Sequence, residues 1–178
     1  MPKTKLKYFN EMSVTFSAVS ENEAFARAVA ASFISELDPL VSELAEIKTA
    51  VSEAVTNCIV HAYRNIPNGS ITMLIRLLPD RRVYIKIRDK GCGISNVAQA
   101  MEPLFTTAPE EERAGLGFAV MKSFTDRLTV KSSVGKGTAL VMEKTLQERL
   151  EREDNGSSEA NSSAKSRRKP RSGTPMRQ

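Results

Sequence analysis

The stretch that most constrains the fold is residues 47–63, which read IKTAVSEAVTNCIVHAY. Apolar residues occupy most of its helical circumference, whereas Glu53, Asn57 and His61 follow one another at intervals of four. Because four residues are just over one helical turn, about 6 Å of rise, these side chains are expected to stack on one side of a buried helix. A carboxylate and a carboxamide there cost free energy unless they have partners. The pattern fits a polar seam at the rim of a core helix or the floor of a polar site.

Composition and length exclude several classes of protein. The 178 residues suffice for one domain with a proper core, and 40% hydrophobic with 26% charged residues is typical of a soluble globular protein. No apolar run approaches the ~20 residues of a membrane-spanning helix, and no apolar stretch follows the basic N-terminus as in a signal peptide. We therefore expect a cytoplasmic protein with no membrane partner. Cys58 and Cys92 are expected to be reduced thiols, and one histidine argues against a zinc site.

Periodicity and turn residues predict an α/β (α+β) two-layer sandwich. Capping signals, Ser20 with Glu23 and then Ser42, precede the first two helices. Residues 94–114 read as irregular and polar. A mixed, largely antiparallel sheet is expected, covered on one face by helices. The expected strands are 11–18, 70–78, 82–88, 127–132 and 138–144, and the expected helices are 20–37, the helix of residues 47–63, and 118–124.

The ends of the chain differ from its centre. We expect a basic leader at residues 1–9, one folded domain at 10–146 and a charged, disordered tail at 147–178. The last fifteen residues hold six basic and no acidic side chains, so the net charge of +5 owes much to the tail. Such a tail could bind nucleic acid weakly, but a solvated tail is favoured, and no specific nucleic-acid partner is expected.

Two glycine motifs follow the central helix. Asp89 stands at a strand end before Gly91 and Gly93, where the backbone is free to bend sharply or to approach a ligand. Residues 115–117 (Gly-Leu-Gly) precede a helix, whose first N–H groups favour phosphate. Either motif alone is also common in ordinary turns.

Taken in order, the motifs are far more specific. Glu53-x3-Asn57-x3-His61, the Asp89 motif, residues 115–117 and Gly137-Thr138 together resemble the ATP-binding signature of the GHKL superfamily, which has the Bergerat ATPase fold. Within it, the chain is most similar to the small bacterial anti-sigma serine kinases. The resemblance covers residues 10–146, and its matching segments are SEAVTN (52–57), IRDKGCGI (87–94), PLFTT (103–107) and ERAGLGFAVM (112–121).

The resemblance implies a role for each motif residue. Asn57 is expected to hold Mg²⁺ at the ATP phosphates and Glu53 to act as general base, as the catalytic Asp does in ordinary protein kinases. Asp89 is expected to bind the adenine amino group with help from Thr138, and His61 has no assigned role. The remaining implied contacts are Gly91 and Gly93 at the base, Thr106, Thr107 and Arg113 in an ATP lid at residues 98–114, and Gly115, Leu116 and Gly117 at the phosphates.

The resemblance also implies an activity and partners. It predicts a homodimeric protein serine/threonine kinase that uses ATP and Mg²⁺, sequesters a sporulation sigma factor, sigma F, and phosphorylates its anti-anti-sigma antagonist, stage II sporulation protein AA, on serine. Arg27 on the first helix is a candidate partner contact. Two alternatives remain: the sibling kinase that controls the general stress sigma factor, and an ATP-gated binding module without significant kinase activity. A clamp ATPase like gyrase is disfavoured because no transducer domain is visible.

Overall fold

The computed structural model describes residues 7–64, 66–102 and 115–148. The helix Val41–Asn57 continues directly into a π-helical segment, Cys58–Ala62, and a 3-10 turn, Ser35–Leu37, follows the helix Glu21–Ile34. The strands and helices, in chain order, are β1 (Asn10–Ser17), α1 (Glu21–Ile34), α2 (Val41–Asn57), β2 (Ser70–Leu78), β3 (Arg82–Arg88), α3 (Val97–Ala100), α4 (Gly117–Phe124), β4 (Arg127–Ser133) and β5 (Gly137–Thr145).

The five strands form one sheet in the order β1-β2-β3-β5-β4. Each neighbouring pair of these strands is antiparallel, so the predicted fold class is confirmed and the pairing is antiparallel throughout the described strands. The register pairs Arg88 at the end of β3 with Ala139 in β5. It therefore brings the residue after β3, Asp89, beside the start of β5.

The core lies between one sheet face and helices α1, α2 and α4. Alternate residues of β2 point into it because successive strand side chains face opposite sides, and Ile71, Met73, Ile75 and Leu77 are each fully buried. Small residues of α1, such as Ala26 and Ala30, are also fully buried and allow close packing on α2. This packing fixes α2 above the sheet with one side towards the site described below.

The helix caps differ from the predicted ones. Ser20 is the N-cap residue of α1, as predicted, but its side chain makes no capping hydrogen bond, so the predicted capping box with Glu23 is absent. The second prediction is wrong, because α2 begins at Val41 with Leu40 as its N-cap residue rather than after Ser42. Glu23 instead accepts a hydrogen bond from the Ser52 hydroxyl on α2. At the start of α2 the buried Glu43 carboxylate accepts the Leu40 N–H at 2.9 Å and the Gln147 N–H at 2.8 Å. Glu43 therefore caps α2 locally and also ties it to the segment after β5.

Two further elements were not predicted. The α-helical part of the central helix ends at Asn57, and the π-helical turn follows at once. Within the segment expected to be irregular, Asn96 caps α3 by accepting the Gln99 N–H at 3.1 Å. Most of the leader and the tail lie outside the described residues, so the domain boundaries stay a prediction. Among the described residues, no helix is both long and apolar enough to cross a bilayer.

Candidate functional site

A cavity of about 650 Å³ opens beside the end of α2. The end of β3, the loop to α3, the start of α4 and the start of β5 form its other walls. The sequence-predicted residues that line it are Glu53, Asn57, His61, Asp89, Gly93, Gly115, Leu116, Gly117 and Thr138. Four motifs that are separate in sequence therefore meet around one space. Thr106, Thr107 and Arg113 lie outside the described residues.

Asp89 lies at one end of the cavity and is buried, with only 3% of its surface exposed. Its Oδ1 accepts hydrogen bonds from the backbone N–H of Gly91 at 2.9 Å and of Thr138 at 3.1 Å. Its Oδ2 lies 3.7 Å from the Cys58 thiol sulfur, which donates to it. Because Oδ1 already has two donors, Oδ2 is the oxygen with capacity left for a ligand.

Gly91 and Gly93 serve different contacts. A side-chain carbon on Gly91 would lie 2.1 Å from the Ala62 carbonyl oxygen, which also accepts the Cys92 N–H at 2.9 Å. Gly91 does not line the cavity; it lets the loop pack against the end of the π-helical segment. Gly93 has a φ of +74°, and a side-chain carbon there would lie 2.1 Å from the Ser133 carbonyl oxygen. Both glycines are thus required by close backbone approach.

Ser132 is a site residue that sequence reasoning missed. Its hydroxyl accepts the Ile94 N–H at 2.8 Å, lies 2.9 Å from the Thr138 hydroxyl and donates to the Gly137 carbonyl at 3.1 Å. It ties the loop after Gly93 to the start of β5. The signal that could have found it is the hairpin register, which sets Ser132 opposite Thr138.

The Cys58 thiol is also part of this end of the site. It is 7% exposed and lines the cavity. Burial, followed by the nearby Asp89 carboxylate and the hydrogen bond to it, raises the pKa of the Cys58 thiol well above its ordinary value. The group is therefore a neutral S–H donor at neutral pH.

The other end of the cavity is where α4 begins. A side-chain carbon on Gly117 would lie 3.0 Å from Glu53 Oε2 and 3.4 Å from both polar side-chain atoms of Asn57. The first residue of α4 therefore lies directly over these two side chains. Within the part of the chain that the structure describes, no hydrogen bond or ion pair holds either side chain, so both are open to a ligand.

His61 and Arg64 lie at the end of the central helix and line the same cavity. The predicted stacking at intervals of four is interrupted because the π-helical turn begins after Asn57. The backbone carbonyl of His61 accepts the Cys92 thiol at 3.2 Å. The segment thus helps to hold the Asp89 loop in place.

Arg27 lies outside this cavity. It borders a separate hollow of about 380 Å³ with Lys48 and Ser52, and this hollow shares no lining residue with the larger cavity. Its side chain is 41% exposed and pairs with Glu23 at 3.4 Å. The structure therefore does not place Arg27 with the other candidate site residues.

Comparison with known proteins agrees with this geometry. Residues 16–144 match the model of the histidine kinase-like ATPase domain family. The chain is 51% identical over 137 residues to the anti-sigma F factor of Geobacillus thermodenitrificans, covering 77% of this chain and 93% of the relative. It is 53% identical over 141 residues to the anti-sigma F factor of Caldanaerobacter subterraneus, covering 79% of this chain and 97% of the relative.

A solved structure shows the same fold at lower identity. The structure of the RsbU and RsbW domains of a Mycobacterium tuberculosis protein superimposes with a TM-score of 0.57 at 20% identity, covering 78% of this chain and 33% of the longer one. From the family match and these relatives, the chain belongs to the histidine kinase-like ATPase family and, within it, to the anti-sigma F factors.

Proposed function

We propose that the chain is an ATP-dependent anti-sigma factor that binds sigma F and phosphorylates an anti-anti-sigma protein on serine. The nucleotide lies in the 650 Å³ cavity, with its base at Asp89 and its phosphates at the start of α4. The names of the relatives support the sigma factor as partner. The convergence of α4 on Glu53 and Asn57 is the observation that carries the kinase proposal.

The phosphate end has the parts that phosphoryl transfer needs. The first N–H groups of a helix lack intrahelical acceptors and favour negative charge, and those of α4 begin at Gly117. Leu116 and Gly115, just before it, also line the cavity. Because Gly117 has no side chain, a phosphate can approach these groups beside Asn57. Thr106, Thr107 and Arg113, outside the described residues, complete this end as a proposed lid.

The residues present fit a magnesium ion. Mg²⁺ prefers oxygen ligands and is commonly held by one or two protein groups together with the substrate's phosphates. Asn57 lines the cavity, and its side chain has no hydrogen bond within the described residues, so its oxygen is open to a metal ion. Bound there, the ion would neutralise charge on the ATP phosphates.

Glu53 is placed for the acid–base step. Its carboxylate lies one helical turn before Asn57 on the same wall of the cavity. It would accept the proton of the partner's serine hydroxyl as that oxygen forms a bond to the γ-phosphorus and the bond to the β-phosphate oxygen breaks. The products are ADP and a phosphoserine. The protein's main contribution is alignment and charge neutralisation, since this transfer needs little covalent help.

At the base end, the Asp89 carboxylate would accept the adenine amino group. Oδ2 has the remaining hydrogen-bonding capacity, and Oδ1 is held by the Gly91 and Thr138 amides. Thr138, whose hydroxyl is 2.9 Å from that of Ser132, adds a polar group at the same wall. An acceptor at this place favours a base with an amino group over one with a carbonyl.

The partner surface is proposed on the side away from the cavity. Arg27 is exposed on α1 beside Lys48, which gives this hollow a basic rim. We assign Arg27 to contact the sigma factor or its antagonist. We assign the homodimer interface to the region of β1 and α1, where Phe9 and Phe25 are 58% and 44% exposed. Arg27→Glu should weaken partner binding, whereas Arg127→Glu, at a more exposed arginine on β4, should not.

Transfer of the γ-phosphate to the anti-anti-sigma protein tests the proposal directly. Glu53→Ala should abolish the transfer with ATP binding retained, and Asn57→Ala should weaken Mg-ATP binding itself. Glu46→Ala, on the same helix but paired with Lys144 at 2.8 Å outside the cavity, is the matched control. Undiminished transfer by the Glu53 variant would exclude the general-base role. Nucleotide-gated sigma binding without any transfer would favour the ATP-gated binding module.

A further inference from the structure

We propose that Cys58 is a positioning residue for nucleotide selection: its thiol orients the Asp89 carboxylate so that Oδ2 presents its remaining lone pair to an amino group of the base. The proposal deepens the function above and depends on it. It gives a buried thiol at the start of the π-helical segment a part in distinguishing a 6-amino purine from a 6-oxo purine.

The donors around Asp89 are unevenly distributed between its two carboxylate oxygens. Oδ1 receives two backbone N–H groups, from Gly91 and Thr138, and these two bonds fix one oxygen only. A carboxylate that is hydrogen-bonded through one oxygen only can still rotate, and its other oxygen then changes position. The Cys58 thiol, 3.7 Å from Oδ2, supplies the second point of attachment and the one side-chain donor to that oxygen among the described residues.

The Cys58 thiol is held in place by burial and by the helix backbone. Cys58 is 7% exposed and is the first residue of the π-helical segment, and its backbone N–H bonds to the carbonyls of Ala54 and Val55. The sulfur is thus carried by the same helix that holds Glu53 and Asn57. The donor to Oδ2 is fixed relative to the phosphate end as well as to the base end of the cavity.

The arrangement around Oδ2 determines which group of a base can bind there. With Oδ1 saturated and one lone pair of Oδ2 occupied by the thiol, a single acceptor direction remains on Oδ2. An adenine amino group can donate to it, whereas the carbonyl of hypoxanthine would place an acceptor against a buried carboxylate, where an unpaired polar group is costly. Loss of the thiol should therefore reduce selection for the amino group more than it reduces nucleotide binding in general.

The test compares ATP with inosine triphosphate, which lacks the amino group, by calorimetric titration of the full chain. Cys58→Ala should weaken ATP binding by about three- to tenfold, the effect of one modest hydrogen bond, while inosine triphosphate binding stays the same. Cys58→Ser, which keeps a donor, should restore most of the preference. A purely structural role would weaken both nucleotides equally and would not be rescued by serine.

Cys92→Ser is the matched control, because its thiol faces the same cavity but bonds to the backbone carbonyls of His61 and Gly93 rather than to Asp89. Any change that it causes should affect both nucleotides alike. Equal losses for both nucleotides in Cys58→Ala, or an unchanged ATP affinity, would overturn the proposal. If the unmodified chain bound neither nucleotide, the ATP function itself would fail instead, and the two failures are thereby distinguished.

Discussion

Asp89 and Thr138 hold each other by two backbone-anchored hydrogen bonds. The Thr138 N–H donates to Asp89 Oδ1 at 3.1 Å, and the Asp89 N–H donates to the Thr138 carbonyl at 3.0 Å. The pair joins the end of β3 to the start of β5 by continuing their antiparallel register. The candidate base-binding carboxylate is therefore part of the sheet's own hydrogen-bond network, which makes its position insensitive to loop motion.

Asp89→Asn should weaken ATP binding by about ten- to a hundredfold, because hydrogen bonds that involve a charged group contribute about 1.5–3 kcal/mol and an amide cannot offer acceptors on both sides. Equilibrium binding of a fluorescent ATP analogue measures the change. Asp80→Asn is a suitable control, since Asp80 lies in the β2–β3 turn with a φ of +60°, which asparagine tolerates. Equal affinities for the two variants would contradict the assignment of Asp89.

Gly117→Ala should weaken ATP binding without lowering the stability of the fold. The added carbon would lie 3.0 Å from Glu53 Oε2 and 3.4 Å from Asn57, so it would fill the space assigned to a phosphate. Alanine favours helices over glycine by up to about 1 kcal/mol, so the melting temperature should be unchanged or higher. We expect ATP affinity to fall by about tenfold or more.

Ser123→Ala, on the same helix but outside the cavity lining, controls for helix propensity. It should leave ATP affinity as it is. A Gly117→Ala protein that binds ATP normally would show that the phosphates do not lie at the start of α4.

Much of the fold follows from local sequence patterns. Residues 82–88 alternate clearly, residues 70–78 are rich in apolar and β-branched residues, and a turn separates the two segments. The structure has both strands with these bounds, because these are local properties of the sequence. The π-helical turn has no such local signal. Its last residue, Ala62, contacts the Asp89 loop, which is distant in sequence, and the Ala62 carbonyl accepts the Cys92 N–H.

The candidate site was predictable only in part. Resemblance to a family identified the motif residues Glu53, Asn57 and Asp89. Periodicity alone could not, because it does not predict that Asp89 lies close to residues of the central helix that are distant from it in sequence. Cys58 and Ser132 were missed because their roles depend on tertiary contacts, namely the approach of α2 to Asp89 and the pairing of β4 with β5. A thiol beside apolar residues reads as core until its neighbour is known.

Gly91→Ala should destabilise the fold as well as the site. A side-chain carbon would lie 2.1 Å from the Ala62 carbonyl oxygen, and backbone cannot move aside as a flexible side chain can. We expect a loss of about 3 kcal/mol in the free energy of unfolding, at the upper end of overpacking effects, measured by urea denaturation.

Gly135→Ala provides the comparison for this variant. Gly135 has a φ of +72°, but nothing lies within 4 Å of the added carbon, so backbone strain alone should cost about 1–2 kcal/mol. A Gly91 variant no less stable than the Gly135 variant would show that the loop can withdraw from the helix.

The two cysteines should react with an aromatic disulfide reagent at very different rates. The thiolate is the reactive form, and burial together with the Asp89 carboxylate raises the pKa of Cys58, so its thiolate fraction is smaller at every pH than that of an ordinary cysteine. Cys92 is exposed. Below the raised pKa, we expect one fast thiol per native chain, and a second only after denaturation. Cys92→Ser should remove the fast phase, and its persistence in that variant would show that Cys58 is accessible and ionised in the native protein.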